Sequence, residues 1–362
     1  MNNTLGTVIK VTLFGESHGK YIGAVLDGLP AMIPVKEDDV AAALMARRPS
    51  GNISTARREA DRFEIVSGVF RGMTNGAPLC VVIPNEDTKS GDYGKTLGAL
   101  RPGHSDFTSH IRNLGHEDFR GGGHFSGRLT APLVALGAIV RSALEDKGIY
   151  VGTHVLSIAD VSDRHFESDA DVRSVKNSPF PVLTSDVGAK MKEAIEAARA
   201  DGDSVGGTLE TAVTGLPVGV GEPWFGTVEG QIAYAAFSIP AVKAIEFGLG
   251  FDIAKLRGSE ANDPFVLKDG RIRTETNNCG GVLGGLTTGG ALLFRTAVKP
   301  TPTIAKEQKT VDISKGCETV ISSGGRHDPC IVHRAASVQS AVTALVVADM
   351  FAERYGAEAL CK

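Results

Sequence analysis

Phe14-Gly15-Glu16-Ser17-His18-Gly19 contains a formal match to G-x-S-x-G, the nucleophile elbow of α/β-hydrolases. An elbow needs an interior strand before it, an oxyanion loop earlier in the chain and a helix directly after it. Here only fourteen residues precede the motif. Gly6 to Leu13 alternates in the manner of a strand, and Tyr21-Ile22-Gly23-Ala24-Val25-Leu26-Asp27-Gly28 reads as a second one. The stretch is therefore a glycine-bounded turn between strands, which points away from a hydrolase core and toward an α+β fold. Ser17 and His18 at such a turn either carry chemistry or merely satisfy local hydrogen bonds. Taken alone, the motif leaves these readings about even.

Outward from this turn, Pro34 precedes an amphipathic helix over Glu37 to Arg47. Phe63 to Phe70 and Pro78 to Ile83 read as strands separated by a turn at Asn75-Gly76. From about Asn85 to Gly123 the chain is polar and aperiodic, as long functional or disordered loops are. Arg128 to Lys147 is predicted helical, with Leu129, Leu133, Leu136, Ile139, Val140 and Leu144 on one face. A strand at Val151 to Ile158, a helix at Ser185 to Ala200 and a strand at Gly206 to Val213 follow. A glycine-dense run from Gly280 to Gly290 leads into a strand over Ala291 to Val298, and a long apolar helix over Ala335 to Tyr355 closes the chain. No linker or short repeat divides residues 1–362, so one large α+β domain is expected, with two lobes as the alternative.

Composition narrows the function. The chain is 42% hydrophobic and 22% charged, an ordinary globular balance. A net charge of −4 argues against nucleic-acid binding, so an anionic ligand must be held by local arginines. Of 362 residues 44 are glycine, against a usual share of about 7%, which implies many tight turns or close approaches to a ligand. Cys80, Cys279, Cys317, Cys330 and Cys361 form no CxxC pair, which fits a reducing cytoplasm better than a disulfide framework. No signal peptide is expected, and no run reaches the ~18 uninterrupted apolar residues of a spanning helix.

Two more histidine clusters recur downstream, Arg101-Pro102-Gly103-His104-Ser105-Asp106 and Gly325-Arg326-His327-Asp328-Pro329-Cys330. Each sets ionisable groups beside Gly or Pro and close to arginine, a combination suited to proton transfer and anion recognition in one composite site. The triple glycine of Arg120-Gly121-Gly122-Gly123 can offer bare N–H groups to an anion, or be a solvated loop. His104, His110 and His116 recur every six residues, but without cysteine or carboxylate at zinc spacing no metal is expected. Gly91-Asp92-Tyr93-Gly94-Lys95-Thr96 lacks the first glycine of a P-loop, so nucleotide hydrolysis is rejected. Lys299-Pro300-Thr301-Pro302-Thr303 is either an anion clamp or a proline-stiffened turn.

In order and together, these segments resemble the chorismate synthases. The resemblance runs from Gly6 to about Ala348. Besides the clusters above, it includes Arg47-Arg48-Pro49, Asp203-Ser204-Val205-Gly206-Gly207, Ser238-Ile239-Pro240-Ala241-Val242-Lys243 and Gly280 to Gly285. It implies a β-α-β sandwich, usually a homotetramer, that converts 5-enolpyruvylshikimate 3-phosphate to chorismate and phosphate by 1,4-anti elimination. It also implies a need for reduced FMN, with NADPH as a possible reductant. By resemblance, His18 protonates the departing phosphate, His104 supplies a proton to the flavin, and Asp328 takes the flavin N5 proton. Ser17, Arg47, Arg101 and Arg128 would bind substrate. His124, Ser126, Pro240, Ala241, Gly284, Lys299, Pro300, Thr301, Pro302, Thr303 and Arg326 would bind the flavin. The chain departs from many relatives in two places: Gly123-His124-Phe125-Ser126-Gly127-Arg128 replaces an arginine-bearing stretch, and Ile53 stands where a basic residue is usual. Two other classes remain open, a serine hydrolase using Ser17 and His18, and a non-catalytic binder of phosphorylated metabolites.

Overall fold

The computed structural model describes residues 2–49, 51–55, 60–86, 98–322 and 328–361. The first quarter supplies β1 (Thr4–Leu5), β2 (Lys10–Gly15), β3 (Tyr21–Asp27), β4 (Glu64–Ser67), β5 (Val69–Phe70), β6 (Met73–Thr74) and β7 (Leu79–Pro84). Five of them form an antiparallel sheet in the order β1-β2-β3-β7-β4. Then come β8 (Tyr150–Ile158), β9 (Val161–Ser162), β10 (Gly207–Thr214), β11 (Val242–Phe247), β12 (Phe265–Lys268), β13 (Arg271–Thr274), β14 (Val282–Leu283), β15 (Leu286–Thr287) and β16 (Leu292–Val298). The hairpin β17 (Gln308–Asp312) and β18 (Cys317–Ile321) follows. The second large sheet is ordered β11-β16-β10-β8-β9. The helices are α1 (Glu37–Arg47), α2 (Asp106–Arg112), α3 (Thr130–Glu145), α4 (Asp169–Ser174), α5 (Ser185–Ala200), α6 (Val228–Ala236), α7 (Gly258–Ala261) and α8 (Val332–Tyr355).

Helices α1, α3, α6 and α8 fill the space between the sheets: α3 packs under β3 and β7, and α8 against β8 and β10. This is the β-α-β sandwich. The α3–α8 crossing is close because Gly137 has no side chain; a Cβ there would sit 2.5 Å from Ala341 Cβ. Helix α8 is apolar almost all round, as an element enclosed on every side must be. A polar line fixes it on the sheet: Gln339 Nε2 donates to Thr211 Oγ1 at 2.7 Å, and Thr296 Oγ1 donates to Gln339 Oε1 at 2.6 Å. Gly127–Glu145 and α8 are long and apolar enough to cross a membrane, but 89% of each such window is buried in the fold, which accounts for their composition.

The expected strand over Gly6 to Leu13 is broken. Gly6 turns at φ 101°, and the next three backbone N–H groups, of Thr7, Val8 and Ile9, donate to the Asp349 carboxylate of α8 at 2.7–2.8 Å. An acceptor from a distant helix there outcompetes the sheet. The Phe63 to Phe70 run likewise breaks at Gly68, where a Cβ would meet Leu79 Cα at 2.5 Å. Its reversal comes at Arg71-Gly72, between β5 and β6, before the expected Asn75-Gly76 turn. Within the polar loop, α2 adds a short helix that periodicity did not reveal.

Candidate active site

β2 ends at Gly15, whose φ of 100° and contact with Tyr21 exclude a side chain. The chain turns through Glu16–Gly19, closed by the Gly19 N–H donating to the Glu16 carbonyl at 3.0 Å, and returns as β3. Against this turn lies the glycine strip. Ser17 N–H donates to the Gly123 carbonyl at 3.1 Å. A Cβ on Gly121 would sit 2.3 Å from His18 Cε1, whereas one on Gly122 would make ordinary contact with His104 at 3.6 Å. The two histidines, 86 positions apart in sequence, therefore meet neighbouring glycines of one strip.

His104 is oriented from behind. Its Nδ1 donates to Asp106 Oδ1 at 2.7 Å, because a carboxylate can only accept, and Nε2 faces Gly122. Asp106 also receives both a bidentate grip from Arg101, at 2.7 and 2.8 Å, and the Arg101 N–H at 2.9 Å. Burial pushes the Asp106 carboxyl up, but the hydrogen bonds from Arg101 and His104 outweigh it and hold the group well below the usual carboxylate range. Arg101 is thus engaged by its own cluster. The Lys299–Thr303 loop leans on this turn: Lys299 Nζ donates to the Gly103 carbonyl, and Lys299 N–H donates to the Ala241 carbonyl at 2.9 Å. The buried Thr301 Oγ1 has no hydrogen-bond partner among the described residues.

A wall of arginines stands opposite. Arg47 donates from Nε to Thr130 Oγ1 at 2.9 Å and from Nη2 to the Gly127 carbonyl at 2.8 Å. Arg128 is held by Asp61, by the Pro84 carbonyl and, through Nε at 3.3 Å, by Asn85 Oδ1. The Asn85 amide nitrogen in turn donates to the carbonyls of Glu16 and Gly19, at 3.0 and 2.8 Å, so one side chain ties Arg128 to the His18 turn. Asp328 accepts from Thr55 N–H at 2.8 Å and from Arg334 Nη1 at 2.6 Å. It does not cap α8, whose N-cap is Ile331 with no side-chain cap. Cys330, two residues on, is buried with its thiol pushed up to about 12, so it packs rather than reacts.

These groups line one cleft of about 2460 Å³. Of the residues expected at the site, His18, His104, Asp328, Arg47, Arg101, Arg128, His124, Ser126, Pro240, Ala241, Lys299, Thr301, Pro302 and Thr303 border it. Ser17 is buried just beneath, Pro300 lies in the same loop without bordering the cleft, and Gly284 sits on the β14–β15 hairpin away from it. Arg326 falls outside the described residues. His124 Nδ1 donates to the Gly15 carbonyl at 2.8 Å while Nε2 lies 3.0 Å from Asn3 Oδ1, so its ring braces the first turn. Ile53, 6% exposed, packs in the core and does not border the cleft, so the position takes no part in an arginine cage here. Sequence reasoning missed Asp61, Asn85, Thr55 and Arg334 as site residues; the first three act through partners far along the chain, and Arg334 meets Asp328, six residues before it, from the first turn of α8, with nothing local to mark the pair. Ser17 Oγ has no hydrogen-bond partner among the described residues, so the nucleophile–base hydrogen bond that the hydrolase alternative calls for is not formed.

Comparison with known proteins follows the same line. The family model described as chorismate synthase matches residues 9–352. Chorismate synthase of Thermococcus gammatolerans is 46% identical over 350 residues, covering 96% of this chain and 97% of that one. Chorismate synthase of Dehalococcoides mccartyi strain BAV1 is 44% identical, over 97% of this chain and 96% of that one. A solved structure described as "Crystal Structure of Chorismate Synthase" superposes with a TM-score of 0.75 at 29% identity, over 97% of this chain and 94% of that one.

Proposed function

Because the chain belongs to the chorismate synthase family, we propose that it catalyses the chorismate-producing step of the shikimate pathway. The substrate is 5-enolpyruvylshikimate 3-phosphate, which loses phosphate and a C6 hydrogen by 1,4-anti elimination. One observation carries this reading: His18 and His104 meet adjacent glycines of one strip, in a cleft walled by arginines.

The chain's residues fit a flavin. Gly121 and Gly122 border the cleft and let the His18 and His104 rings stand close beside it, and the buried Thr301 Oγ1 on the Lys299–Thr303 wall has no hydrogen-bond partner among the described residues. Reduced FMN, when bound, supplies the electron density that promotes phosphate departure. Ser126, Pro240, Ala241, Lys299 to Thr303 and Arg326 are assigned to holding it; His124, whose ring braces the first turn, and Gly284, away from the cleft, are assigned by the family resemblance alone. Arg47 and Arg128 are assigned to grip the substrate's anionic groups, for which planar guanidinium forks suit phosphate and carboxylate; Arg101, held by Asp106, and Ser17, buried beneath the cleft, are assigned by the family resemblance alone.

His18 donates a proton to the leaving phosphate, and His104 holds one at Nε2 for the flavin side of the cleft. An imidazole suits both tasks because it titrates near neutrality. Among the described residues Asp328 accepts hydrogen bonds from Thr55 N–H and Arg334, while an ionised carboxylate offers about four acceptor positions, which supports a role in taking up a proton. The same reading includes a homotetramer, NADPH or an external reductase as the source of electrons for the flavin, and a cytoplasmic setting. Five unpaired cysteines support that last point. The test is an anaerobic assay of the full chain with the phosphorylated substrate and chemically reduced FMN. Appearance of chorismate absorbance with equal phosphate release is expected; full turnover in flavin-free buffer would overturn the reading.

A further inference from the structure

Three guanidinium groups converge on one carboxylate. The Asp61 side chain, 2% exposed, lies 3.6 Å from Arg47 Nη1 and 3.9 Å from Arg48 Nε, and accepts a hydrogen bond from Arg128 Nη1. Its backbone is left-handed at φ 45°, a conformation disfavoured for a residue with a Cβ. Elsewhere along the cleft the described arginines meet carboxylates one to one: Arg101 with Asp106, Arg120 with Asp118, Arg334 with Asp328. Along the cleft, Asp61 is the described carboxylate on which more than one arginine converges.

We propose that Asp61 is an internal counter-anion and positioning residue of the anion-binding wall. It aims Arg47 and Arg128, and it lowers that wall's hold on anions so that phosphate can leave. Clustered buried guanidiniums repel one another and carry a desolvation cost that a fixed carboxylate beside them offsets. Asp61 does this from within the fold, and it borders the same cleft as Arg47 and Arg128. An anion arriving at those two arginines meets a wall whose net charge Asp61 has reduced by one. Removing the charge has two effects of opposite sign: the wall grips anions harder, and its arginines lose their aim.

The catalytic half of this inference rests on the proposed function; the binding half does not. The test is calorimetric titration of inorganic phosphate into the full chain, alongside kcat and KM for the phosphorylated substrate. Asp61→Asn is expected to bind phosphate roughly tenfold or more tightly, the size of effect that one charge 4–6 Å away exerts on an ionic equilibrium. Its kcat should fall while KM falls or holds. Asp61→Glu, which keeps the charge, should bind phosphate about as the wild type does and still lose kcat. Loss of a merely structural contact would lower the melting temperature without tightening phosphate. Unchanged or weaker phosphate binding in Asp61→Asn overturns the proposal, and so does undetectable phosphate binding in all three proteins. Should Asp61→Asn fail to fold, Asp61→Ser is read the same way. Tighter phosphate binding in a protein that makes no chorismate would support Asp61's role and count against the proposed function.

Discussion

Gly121 leaves no room for a β-carbon against His18: a methyl group there would lie 2.3 Å from the ring's Cε1 and 2.4 Å from Nδ1. Glycine at this position is thus a condition for where the imidazole stands, beyond its φ of 60°. Gly122 has a similar backbone, φ 84°, but a Cβ on it would meet His104 only at 3.6 Å. Both Gly→Ala substitutions carry comparable backbone strain, of order 1–3 kcal/mol. Only Gly121→Ala also displaces the ring. We expect the two variants to melt at similar temperatures while Gly121→Ala loses about 10²-fold or more in kcat relative to Gly122→Ala, the range for losing a proton donor. Equal kcat values would detach His18 from the glycine strip.

Asp328→Asn separates a base from a scaffold. The amide keeps an acceptor for Thr55 N–H but loses the ion pair with Arg334 and cannot take up a proton. Partly buried as this pair is, its loss should cost about 1–3 kcal/mol of stability, the scale for a charge-assisted hydrogen bond. Flavin binding, followed by fluorescence quenching, should persist while turnover drops by about 10²–10⁴. Wild-type turnover would return Asp328 to a purely structural role.

His333 gives the fold an acid sensitivity of its own. The ring is buried at the start of α8, with Nε2 3.0 Å from Ser54 Oγ. Burial, with Arg334 adding to it, pushes its imidazole down to about 3 from an ordinary 6.5. Below pH 6.5 the unfolded chain therefore takes up a proton that the folded chain refuses. The stability from this site is complete above about pH 6.5 and is lost as the pH falls toward 3. Urea midpoints should decline through that window, and His333→Gln should flatten the decline. An unchanged slope in the variant would place the acid sensitivity elsewhere.

Periodicity made α1, α3, α5 and α8 legible, because each is long enough for one face or its whole surface to declare itself. It also located β2, β3, β8, β10 and β16 to within a few residues. The breaks at Gly6 and Gly68 were not legible, since each is imposed by a group far away in sequence, Asp349 and Leu79. Short elements such as α2, α6 and the β12–β13 hairpin carry too few residues to show a period. At the site, histidines flanked by Gly and Pro announced themselves. Asp61, Asn85 and Arg334 did not, because their meaning lies in Arg128, the Glu16–Gly19 turn and Asp328, met only after folding.

The central claim is that His18 and His104 serve one composite proton-transfer site. Its most direct test is turnover of His18→Ala and His104→Ala in the anaerobic reduced-FMN assay, across about pH 6–9, the range bracketing an imidazole's titration. Both histidines stand in loops with backbone-held neighbours, so both variants should fold, with melting temperatures near the wild type. Each should lose on the order of 10²–10⁴ in kcat, the cost of removing a general acid. Wild-type turnover across that pH range in either variant would contradict the claim for that residue and, with it, the composite site.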